Sequence, residues 1–376
     1  MELFSLTDIK KKNLSDVFHY IYHHPGCSRQ TIATALTMSL PTVTQHLATL
    51  TEKRLIEKSG QIHSNIGRKA AAYSILPKAR IAIGVEILSH KITIVALNLY
   101  GKKETKEQLH LKFAQTDAYF ERIRTFILDF IHMHQYSEEQ LLGIGFAVQG
   151  LTSRDGTKIT YGKILNCSEI DISVFADYFS IPCRFIHDAE CAAISELWEN
   201  AELQDAVYLS LSHHLGGAII LNGTLQSGMT GKSGTFEHMT LVPNGLPCYC
   251  GKHGCAESYC SGYSLLESDL DLENFFESKL HGDTESRRKW RKYLKYLALL
   301  INNLHLVIES PVILGGHIAA YLSDDDLAAL QKALAAQSTF HDPVDYIMIG
   351  ACRRDAVAIG AALPYIQEFL KTISFV

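Results

Sequence analysis

No run of about 18 consecutive apolar residues, the length that a membrane-spanning helix needs, occurs in the 376-residue sequence. We therefore expect neither a membrane span nor a membrane partner. The first residues, MELFSLTDIKKKNLSD, lack the apolar core of a signal peptide, which favours a cytoplasmic protein. Charged residues are few, at 20%, and hydrophobic residues reach 47%, as is typical of a globular protein that is long enough here for more than one domain.

The nine cysteines lack the pattern of a disulfide framework. Six are scattered through predicted helices and strands and are interpreted as reduced: Cys27, Cys167, Cys183, Cys191, Cys260 and Cys352. The other three lie in CYCGKHGC, residues 248–255, where Cys-x-Cys differs from the Cys-x-x-Cys of redox pairs. A disulfide is disfavoured in a reducing compartment, so a metal site is the favoured interpretation. Three thiolates need one further ligand to complete a tetrahedral zinc site.

The net charge of −5 is unevenly distributed along the chain. Residues 1–80 contain 11 Lys and Arg against 5 Asp and Glu, so this part carries about +6 and the remainder about −11. A basic head on an acidic body indicates that the head meets a polyanion such as DNA. The alternative is chance clustering of charge on a solvated surface.

Residues 1–78 are predicted to form three helices followed by two strands. Apolar residues recur at helical spacing in NLSDVFHYIYHH. Ser28 and Ser39 are N-cap candidates for a second and a third helix, and Pro41 fits the first turn of the third. Strand-like segments surround a polar turn within 55–76. This arrangement resembles a winged helix-turn-helix domain.

Polar residues near the start of the third helix suit a helix that enters the major groove, because hydroxyls and amides can reach base edges. A basic turn between the two strands would contact phosphates or the minor groove. The predicted DNA contacts are Arg29, Gln30, Ser39, Thr42, Thr44, Gln45, His46, Arg68 and Lys69. The alternative is a small helical subdomain that only contacts other proteins.

Beyond the head, strands alternate with helices, as in CRFIHDAECAAISELW and SPVILGGHIAAYL, which indicates an α/β architecture. The stretch GKSGTFEHMTLVPNGLPCYCGKHGCAES resembles the signature of the ROK family of sugar kinases and sugar-responsive repressors. The winged head resembles the repressor branch, and the resemblance covers essentially the whole chain. It implies a two-lobed body of the actin/hexokinase-like fold. The expected divisions are a winged helix-turn-helix domain at 1–78, a small lobe at 79–190, and a large lobe at 191–376 whose C-terminal helix returns to the small lobe.

The resemblance also implies the fourth metal ligand. It places His238 with Cys248, Cys250 and Cys255 in a Cys3His site for a structural zinc ion. His253 lies inside the cysteine loop and is an alternative ligand, although its position beside a turn favours an exposed side chain. With four protein ligands no position is left for water, so this zinc is expected to stabilise the fold.

Family kinases hold nucleotide phosphates with glycine-rich loops, and two of these loops depart from the pattern here. In VEILSHK, Glu86 keeps a carboxylate, but Leu88, Ser89 and His90 replace the small residues of the family's Asp-x-Gly-Gly-Thr. The second loop is SHHLGG, and only LGG at 314–316 remains as expected. Because side chains block the close backbone approach that glycine permits, we expect no ATP and no enzyme activity.

The family's sugar site implies four sugar-binding residues: His187, Asp188, His238 and Glu257. In a kinase Asp188 would be the catalytic base. Here it is expected to be a vestigial base that accepts hydrogen bonds from sugar hydroxyls. Its alternative role is to cap the helix that follows.

Three positions of that site depart from the family pattern. His187 replaces an asparagine, Thr235 replaces the glutamate of Gly-Glu-x-Gly-His, and Glu237 replaces the glycine before the histidine. A lost hydrogen-bond partner in a buried site costs about 1–3 kcal/mol. The ligand therefore differs from a simple glucose-like sugar, or the site has weakened or fallen silent. Glu237 is a candidate for partial replacement of the missing carboxylate, although its side chain is expected to point differently, one residue from His238.

Together these features predict a transcriptional repressor that binds a double-stranded DNA operator as a homodimer or homotetramer. A sugar effector in the cleft would modulate it without ATP turnover. The alternatives are a ROK sugar kinase that keeps a DNA-binding head, and a repressor that has lost its response to sugars.

Overall fold

The computed structural model of the chain describes residues 6–62, 70–266, 271–340, 343–352 and 354–373. Within these ranges, one small unit precedes two larger α/β units. None of the helices that the structure describes combines the length and the apolar character needed to cross a lipid bilayer.

The small unit, called the head below, contains three helices and three short strands. Its elements are α1 (Leu6–His23), β1 (Cys27–Ser28), α2 (Arg29–Ala35), α3 (Leu40–Glu52), β2 (Ile56–Ile62) and β3 (Ala70–Ile75). The strands form an antiparallel sheet in the order β1-β3-β2. Ser28 and Ser39 cap α2 and α3 by accepting hydrogen bonds from the amides of Thr31 and Thr42, as the sequence predicts.

The core of the head continues into the rest of the molecule. The buried apolar residues of α1, α2 and α3 form one cluster with Leu99, Phe369 and Ile373, which belong to later elements. Phe18 of α1 meets Phe369 edge to face, with ring centroids 6.3 Å apart. The hydroxyl of Tyr22 donates a hydrogen bond to the carbonyl of Leu99 at 3.0 Å. The head is therefore fixed to the body by a shared core and not only by the connecting chain.

The first α/β unit, called the first lobe, is built on a five-stranded sheet. Its elements are β4 (Ile81–Ile87), β5 (Lys91–Leu97), β6 (Lys103–His110), α4 (Asp117–Met133), β7 (Leu141–Val148), β8 (Leu151–Thr152), β9 (Ile159–Tyr161), α5 (Ser173–Ala176) and β10 (Cys183–His187). The strand order is β10-β7-β4-β5-β6. The pairs β10–β7 and β7–β4 are parallel, and β4–β5 and β5–β6 are antiparallel. The parallel strands end together at one edge, where the cleft opens.

The second lobe carries another five-stranded sheet, in the order β13-β12-β11-β14-β15. Its elements are α6 (Asp188–Glu199), β11 (Ala206–Leu211), β12 (Leu215–Leu221), β13 (Thr224–Leu225), α7 (Glu257–Cys260), α8 (Leu272–Leu280), α9 (Thr284–Val307), β14 (Val312–Gly315), α10 (Gly316–Ala319), α11 (Asp324–Ala335), β15 (Ile347–Ile349) and α12 (Ala356–Thr372). Strands β11, β14 and β15 are parallel neighbours. The largest buried apolar cluster lies between this sheet and α9.

Helix α12 follows the second sheet in sequence but packs against the first. Ala358, Ala362 and Ile366 form a buried cluster with Ala82 and Val95 of the first sheet, and with other residues of α6 and α12. The division of the chain into domains at residues 78 and 190 remains a prediction, because packing alone does not show which segments fold independently.

Glycine makes the approach of α12 possible. A Cβ atom at Gly84 of β4 would lie 1.8 Å from the carbonyl oxygen of Ala358, and one at Gly145 of β7 would lie 1.9 Å from that of Ala361. No side chain fits at such distances without movement of the helix. The short distance from α12 to β4 and β7 therefore depends on glycine at both positions.

We predict that Gly84→Ala destabilises the protein by about 3 kcal/mol, because the added methyl group must push α12 away from β4. Urea unfolding followed by circular dichroism measures the loss. Gly223→Ala is the control: the nearest atoms to its added methyl are 3.8 Å away. Only its positive φ of 66° opposes that change, at a cost of about 1 kcal/mol. Equal losses in the two variants would contradict the close packing of α12.

Candidate functional site

A cleft opens between the two lobes where the parallel strands of the first sheet end. Glu86 lies near the end of β4, Gln149 follows β7, and Asp188 follows β10. The second lobe contributes Ser210 and Ser212 from the end of β11. Ligands of α/β sheets ordinarily bind at the carboxyl ends of the parallel strands. The topology therefore predicts that this cleft is the ligand-binding site.

The predicted metal ligands come together at one wall of the cleft. The ligand atoms of His238, Cys248, Cys250 and Cys255 all lie within 4.8 Å of one another. The sulfur atoms of Cys250 and Cys255 are 3.7 Å apart, and Nδ1 of His238 is 3.8 Å from the sulfur of Cys248. Tetrahedral zinc with Zn–S bonds near 2.3 Å requires sulfur separations of about 3.8 Å. The four side chains therefore fit a tetrahedral metal ion.

The backbone of the cysteine loop explains why glycine stands at 254. Gly254 has a φ of 81°, and a Cβ atom there would lie 1.8 Å from the carbonyl oxygen of Val242. The amide of Gly254 also donates to the carbonyl of Leu246 at 2.8 Å. His253, the alternative ligand, is exposed and lies outside the cluster of four.

The predicted pair His187 and Asp188 lines the cavity. Oδ1 of Asp188 is 3.2 Å from Nε2 of His187 and accepts a hydrogen bond from the amide of Ala189 at 2.8 Å. Asp188 is the first residue of α6, so this bond satisfies one free amide of the helix terminus. The N-cap of α6 is His187, so the interpretation of Asp188 as the N-cap is wrong; its carboxylate lies on the cavity wall, as the sugar-site interpretation expects.

Glu257 was predicted to contact a sugar, but it lies behind the cavity wall. Its side chain is buried, and both oxygens are engaged: Oε1 lies 2.6 Å from Nδ1 of His214, and Oε2 accepts from the amide of Leu215 at 2.8 Å. His214 lies between Glu257 and the cavity and lines it. The imidazole comes from the SHHLGG loop, and no local pattern there predicts a contact with a residue 43 positions later.

The 3-10 turn Phe236–His238 presents to the cavity the carboxylate of Glu237, the candidate replacement for the missing glutamate at position 235. Glu237 lines the cavity and is 6% exposed. Its Oε1 is 3.9 Å from Nε2 of His238, and its Oε2 has no hydrogen-bond partner among the described residues. Thr235, at the family's glutamate position, donates its hydroxyl to the carbonyl of Lys232 at 2.9 Å instead.

Two imidazole rings of the second lobe line the cleft. His213 and His317 have ring centroids 6.2 Å apart, and burial lowers the pKa of both. Nearby, Asp355 adopts a left-handed conformation with a φ of 59° immediately before α12. Its two oxygens accept hydrogen bonds from Lys103 at 2.5 Å and Lys106 at 2.6 Å. Imidazole side chains and an ion-pair network therefore border this part of the cleft.

In the head, most of the predicted DNA-contacting residues lie on the surface. Gln45, Thr44, Arg29 and Gln30 are exposed. Thr44 accepts a hydrogen bond from Arg29 at 3.1 Å, which joins the start of α2 to α3. The remaining surface candidates, Ser39 and Thr42, share the N-cap hydrogen bonds of α3. Arg68 and Lys69 lie outside the described residues.

The prediction of an outward-facing His46 is wrong. Its side chain is 8% exposed, and burial lowers its pKa. The reason is its spacing: His46 follows Val43 by three residues and precedes Leu47 and Leu50 on the same inward face of α3. The helical period could have identified this burial from the sequence.

The sequence of the chain is similar to those of several known proteins. The profile of the ROK family matches residues 82–368. Over 271 residues the chain is 28% identical to a xylose repressor of Bacillus subtilis, covering 71% of this chain and 70% of that protein. It is 26% identical over 267 residues to the DNA-binding transcriptional dual regulator NagC of Escherichia coli, covering 70% and 66%.

Solved structures give the same picture of the fold. A ROK family transcriptional regulator described as a homolog of the E. coli MLC protein superposes with a TM-score of 0.78 at 18% identity, over 98% of both chains. A ROK family glucokinase from Streptomyces griseus, in complex with glucose and AMPPNP, superposes with a TM-score of 0.66 at 19% identity, over 76% of this chain and 99% of that one. The predicted two-lobed actin/hexokinase-like fold is confirmed.

Glu86 gives the cleft a pH dependence. Burial is the main cause that raises the pKa of Glu86 from 4.5 to about 7; Lys91 and Lys106 act against it, and Asp188 and Asp355 act with it. The unfolded chain therefore ionises near pH 4.5 while the folded protein keeps the proton until about pH 7, and the protein loses stability as the pH rises between these values.

We predict that Glu86→Gln is more stable than the unsubstituted protein by about 3 kcal/mol above pH 7, and equally stable below pH 4.5. Urea unfolding across this pH range measures the difference between the two curves. The exposed Glu121 on α4 supplies the control Glu121→Gln, which should follow the unsubstituted protein at every pH. A stability difference for Glu86→Gln that does not change with pH would contradict the raised pKa.

Proposed function

The chain belongs to the ROK family, and from that premise we propose that it is a DNA-binding transcriptional repressor whose affinity for DNA responds to a sugar. The named relatives support the proposal, since one is a xylose repressor and another is a DNA-binding transcriptional regulator. The head supplies the DNA contacts, and the cleft between the lobes binds the sugar or sugar derivative without ATP turnover.

The observation that carries the proposal is the course of α12. Its first residues border the cleft: Asp355 and Val357 contribute to the walls. Its last turns lie in the core of the head, where the carbonyl of Leu370 is 3.0 Å from Nε2 of His19 and Phe369 packs on Phe18. The two lobes can adopt different relative arrangements, and a sugar that binds one arrangement more tightly favours it. Because α12 connects the cleft to the head, that shift would change the position of the head.

On the DNA side, the N-terminal part of α3 enters the major groove. Gln45 and Thr44 read base edges, and Arg29 contacts phosphate beside them. Arg68 and Lys69, which the sequence pattern assigns to a basic turn, are proposed to contact phosphates or the minor groove. A homodimer or homotetramer places two heads on a two-fold operator.

The alternative function is a sugar kinase with a DNA-binding head. Asp188 at the end of β10 favours it, because a kinase needs a carboxylate there to accept the proton of the sugar hydroxyl. Against it, phosphoryl transfer requires loops that hold nucleotide phosphates, and the loops that would have to do so carry the imidazole side chains of His213 and His317. We therefore propose a sensor that does not turn over ATP.

The four-residue cluster is proposed to bind structural zinc. Three thiolates and one imidazole form a closed ligand set that zinc prefers, with no position left for a reactive water. The ion would hold the cysteine loop against His238, and so fix Tyr249, whose ring lies 5.2 Å from that of His238 at the cavity.

We predict that Gln45→Ala lowers affinity for a specific operator about tenfold, because its amide would contact a base edge. Fluorescence anisotropy measures binding to a duplex enriched from a random library by the full-length protein, with and without sugars. The control is Thr51→Ala, which lies about 9 Å further along α3. Unchanged affinity in Gln45→Ala would remove the proposed docking of α3, and absence of specific DNA binding by the unsubstituted protein would overturn the proposed function.

We predict one zinc ion per chain in the purified protein, and its loss in Cys250→Ser, with a lower unfolding temperature. Mass spectrometry of the metal content measures the first effect, and thermal unfolding measures the second. His253→Ala removes an exposed residue of the same loop and should retain the ion. Full zinc content in Cys250→Ser would show that the four side chains are not its ligands.

A further inference from the structure

We propose that Thr44 reads DNA through its methyl group and not through its hydroxyl, and that this methyl group selects a thymine in each half-site. The inference rests on the proposed function, because it assigns a base to one residue of the proposed DNA-binding helix α3. It begins with an exposed hydroxyl that is already engaged inside the head. Oγ1 of Thr44 donates to the carbonyl of Leu40 at 2.7 Å and accepts from the guanidinium of Arg29 at 3.1 Å.

These two bonds decide which part of the Thr44 side chain is left for DNA. A hydroxyl has one proton to donate and two lone pairs that can accept. The proton goes to Leu40, and Arg29 takes one lone pair. No donor is then left for the acceptor atoms that bases present in the major groove. Because Oγ1 is held toward the preceding turn of α3 and toward α2, the methyl group on the same Cβ is the part that can meet a base.

The surface around Thr44 has the same character. Oγ of Ser39 accepts from the amide of Thr42 at 3.3 Å and lies 2.8 Å from Oγ1 of Thr42, so these hydroxyls are also engaged within the head. Leu40 and Ala48 are exposed one turn before and one turn after Thr44, on the same stripe of the helix. This stripe of α3 therefore offers methyl groups to the groove.

A methyl surface distinguishes one base from the others. Thymine presents a methyl group at C5 in the major groove, and the methyl groups of threonine and alanine are among its usual partners. The other three bases have no methyl group to bury there. Arg29, which Thr44 holds, is exposed at the start of α2, the helix that crosses the DNA backbone in this motif. Thr44 thus selects thymine with its methyl group and positions a phosphate contact with its hydroxyl.

The test compares thymine with deoxyuridine, which lacks only the C5-methyl group. The full-length protein enriches a duplex from a random library, and each thymine of that duplex is then replaced in turn by deoxyuridine. Fluorescence anisotropy at one fixed salt concentration measures the affinity for each duplex. One position in each half-site should lose about fourfold in affinity, the effect of one methyl group that is no longer buried.

Two substitutions separate the methyl group from the hydroxyl. Thr44→Ser keeps the hydroxyl and removes the methyl group, so thymine and deoxyuridine should bind equally at that position. Thr44→Val keeps a methyl group and removes the hydroxyl, so the preference of about fourfold should remain. Release of Arg29 in Thr44→Val weakens both duplexes alike, and for this reason the ratio of the two affinities is the readout.

Thr49→Ser is the matched control. The hydroxyl of Thr49 also donates to the carbonyl four residues earlier, that of Gln45, at 3.2 Å. Thr49 is half-buried and lies about 140° around the helix from Thr44, so removal of its methyl group should leave the ratio unchanged. Circular dichroism checks that each variant is folded.

Three results would overturn the assignment: no thymine position that is sensitive to deoxyuridine, an unchanged ratio in Thr44→Ser, or a lost ratio in Thr44→Val, which would show that the hydroxyl reads the base. In each case the unsubstituted protein still binds its enriched duplex specifically, so the role of Thr44 fails alone. If the unsubstituted protein enriches no duplex, the proposed function is overturned and this inference with it.

Discussion

Helix α12 packs on β4 and β7 at a separation that only glycine permits, and the arrangement of the head and both lobes depends on this contact. At Gly84 and Gly145, carbonyl oxygens of the helix lie 1.8 and 1.9 Å from the position that a Cβ atom would take. Such packing transmits displacement because it cannot be compressed. At one end of α12, Asp355 holds Lys103 and Lys106 of β6 beside the cleft, and at the other end the helix enters the core of the head. A rigid element with these two ends is what a ligand-controlled DNA-binding protein requires.

The cysteine loop constrains the opposite wall of the cleft. A chain segment with few apolar residues cannot hold its own shape by burial, and an ion bound by His238 and the three cysteines would supply the missing constraint. His238 turns Nδ1 toward the sulfur of Cys248 and Nε2 toward Glu237, so the candidate metal site and the cavity share one imidazole. Neighbours of a metal ligand orient it, and here the neighbour of His238 is also a residue of the cavity.

The sequence predicted the elements and the metal cluster better than the cavity, for physical reasons. Caps and helical periods are local, so Ser39 and the buried face of α3 followed from spacing. The same rule places His46 on the buried face of α3, although its polar side chain suggests an exposed position. The partner of Glu257 depends on a loop 43 residues away, which no local rule reaches. Glu237 stood at a glycine position of the family pattern, and only the turn at Phe236 determines that its side chain reaches the cavity.

The buried Glu237 suits a sensor better than a kinase, because its Oε2 has no hydrogen-bond partner among the described residues. An unsatisfied buried polar group costs a protein about 1–3 kcal/mol. A ligand that forms a hydrogen bond with this oxygen removes the cost in the bound form alone, so the same quantity is available to favour the lobe arrangement that brings the two together. A kinase must instead favour the transition state over its bound substrate, and a strong contact made equally in both would not raise its rate. The unpaired oxygen of Glu237 and the imidazole rings of His213 and His317 in the cleft therefore favour binding that reports on a ligand and does not transform it.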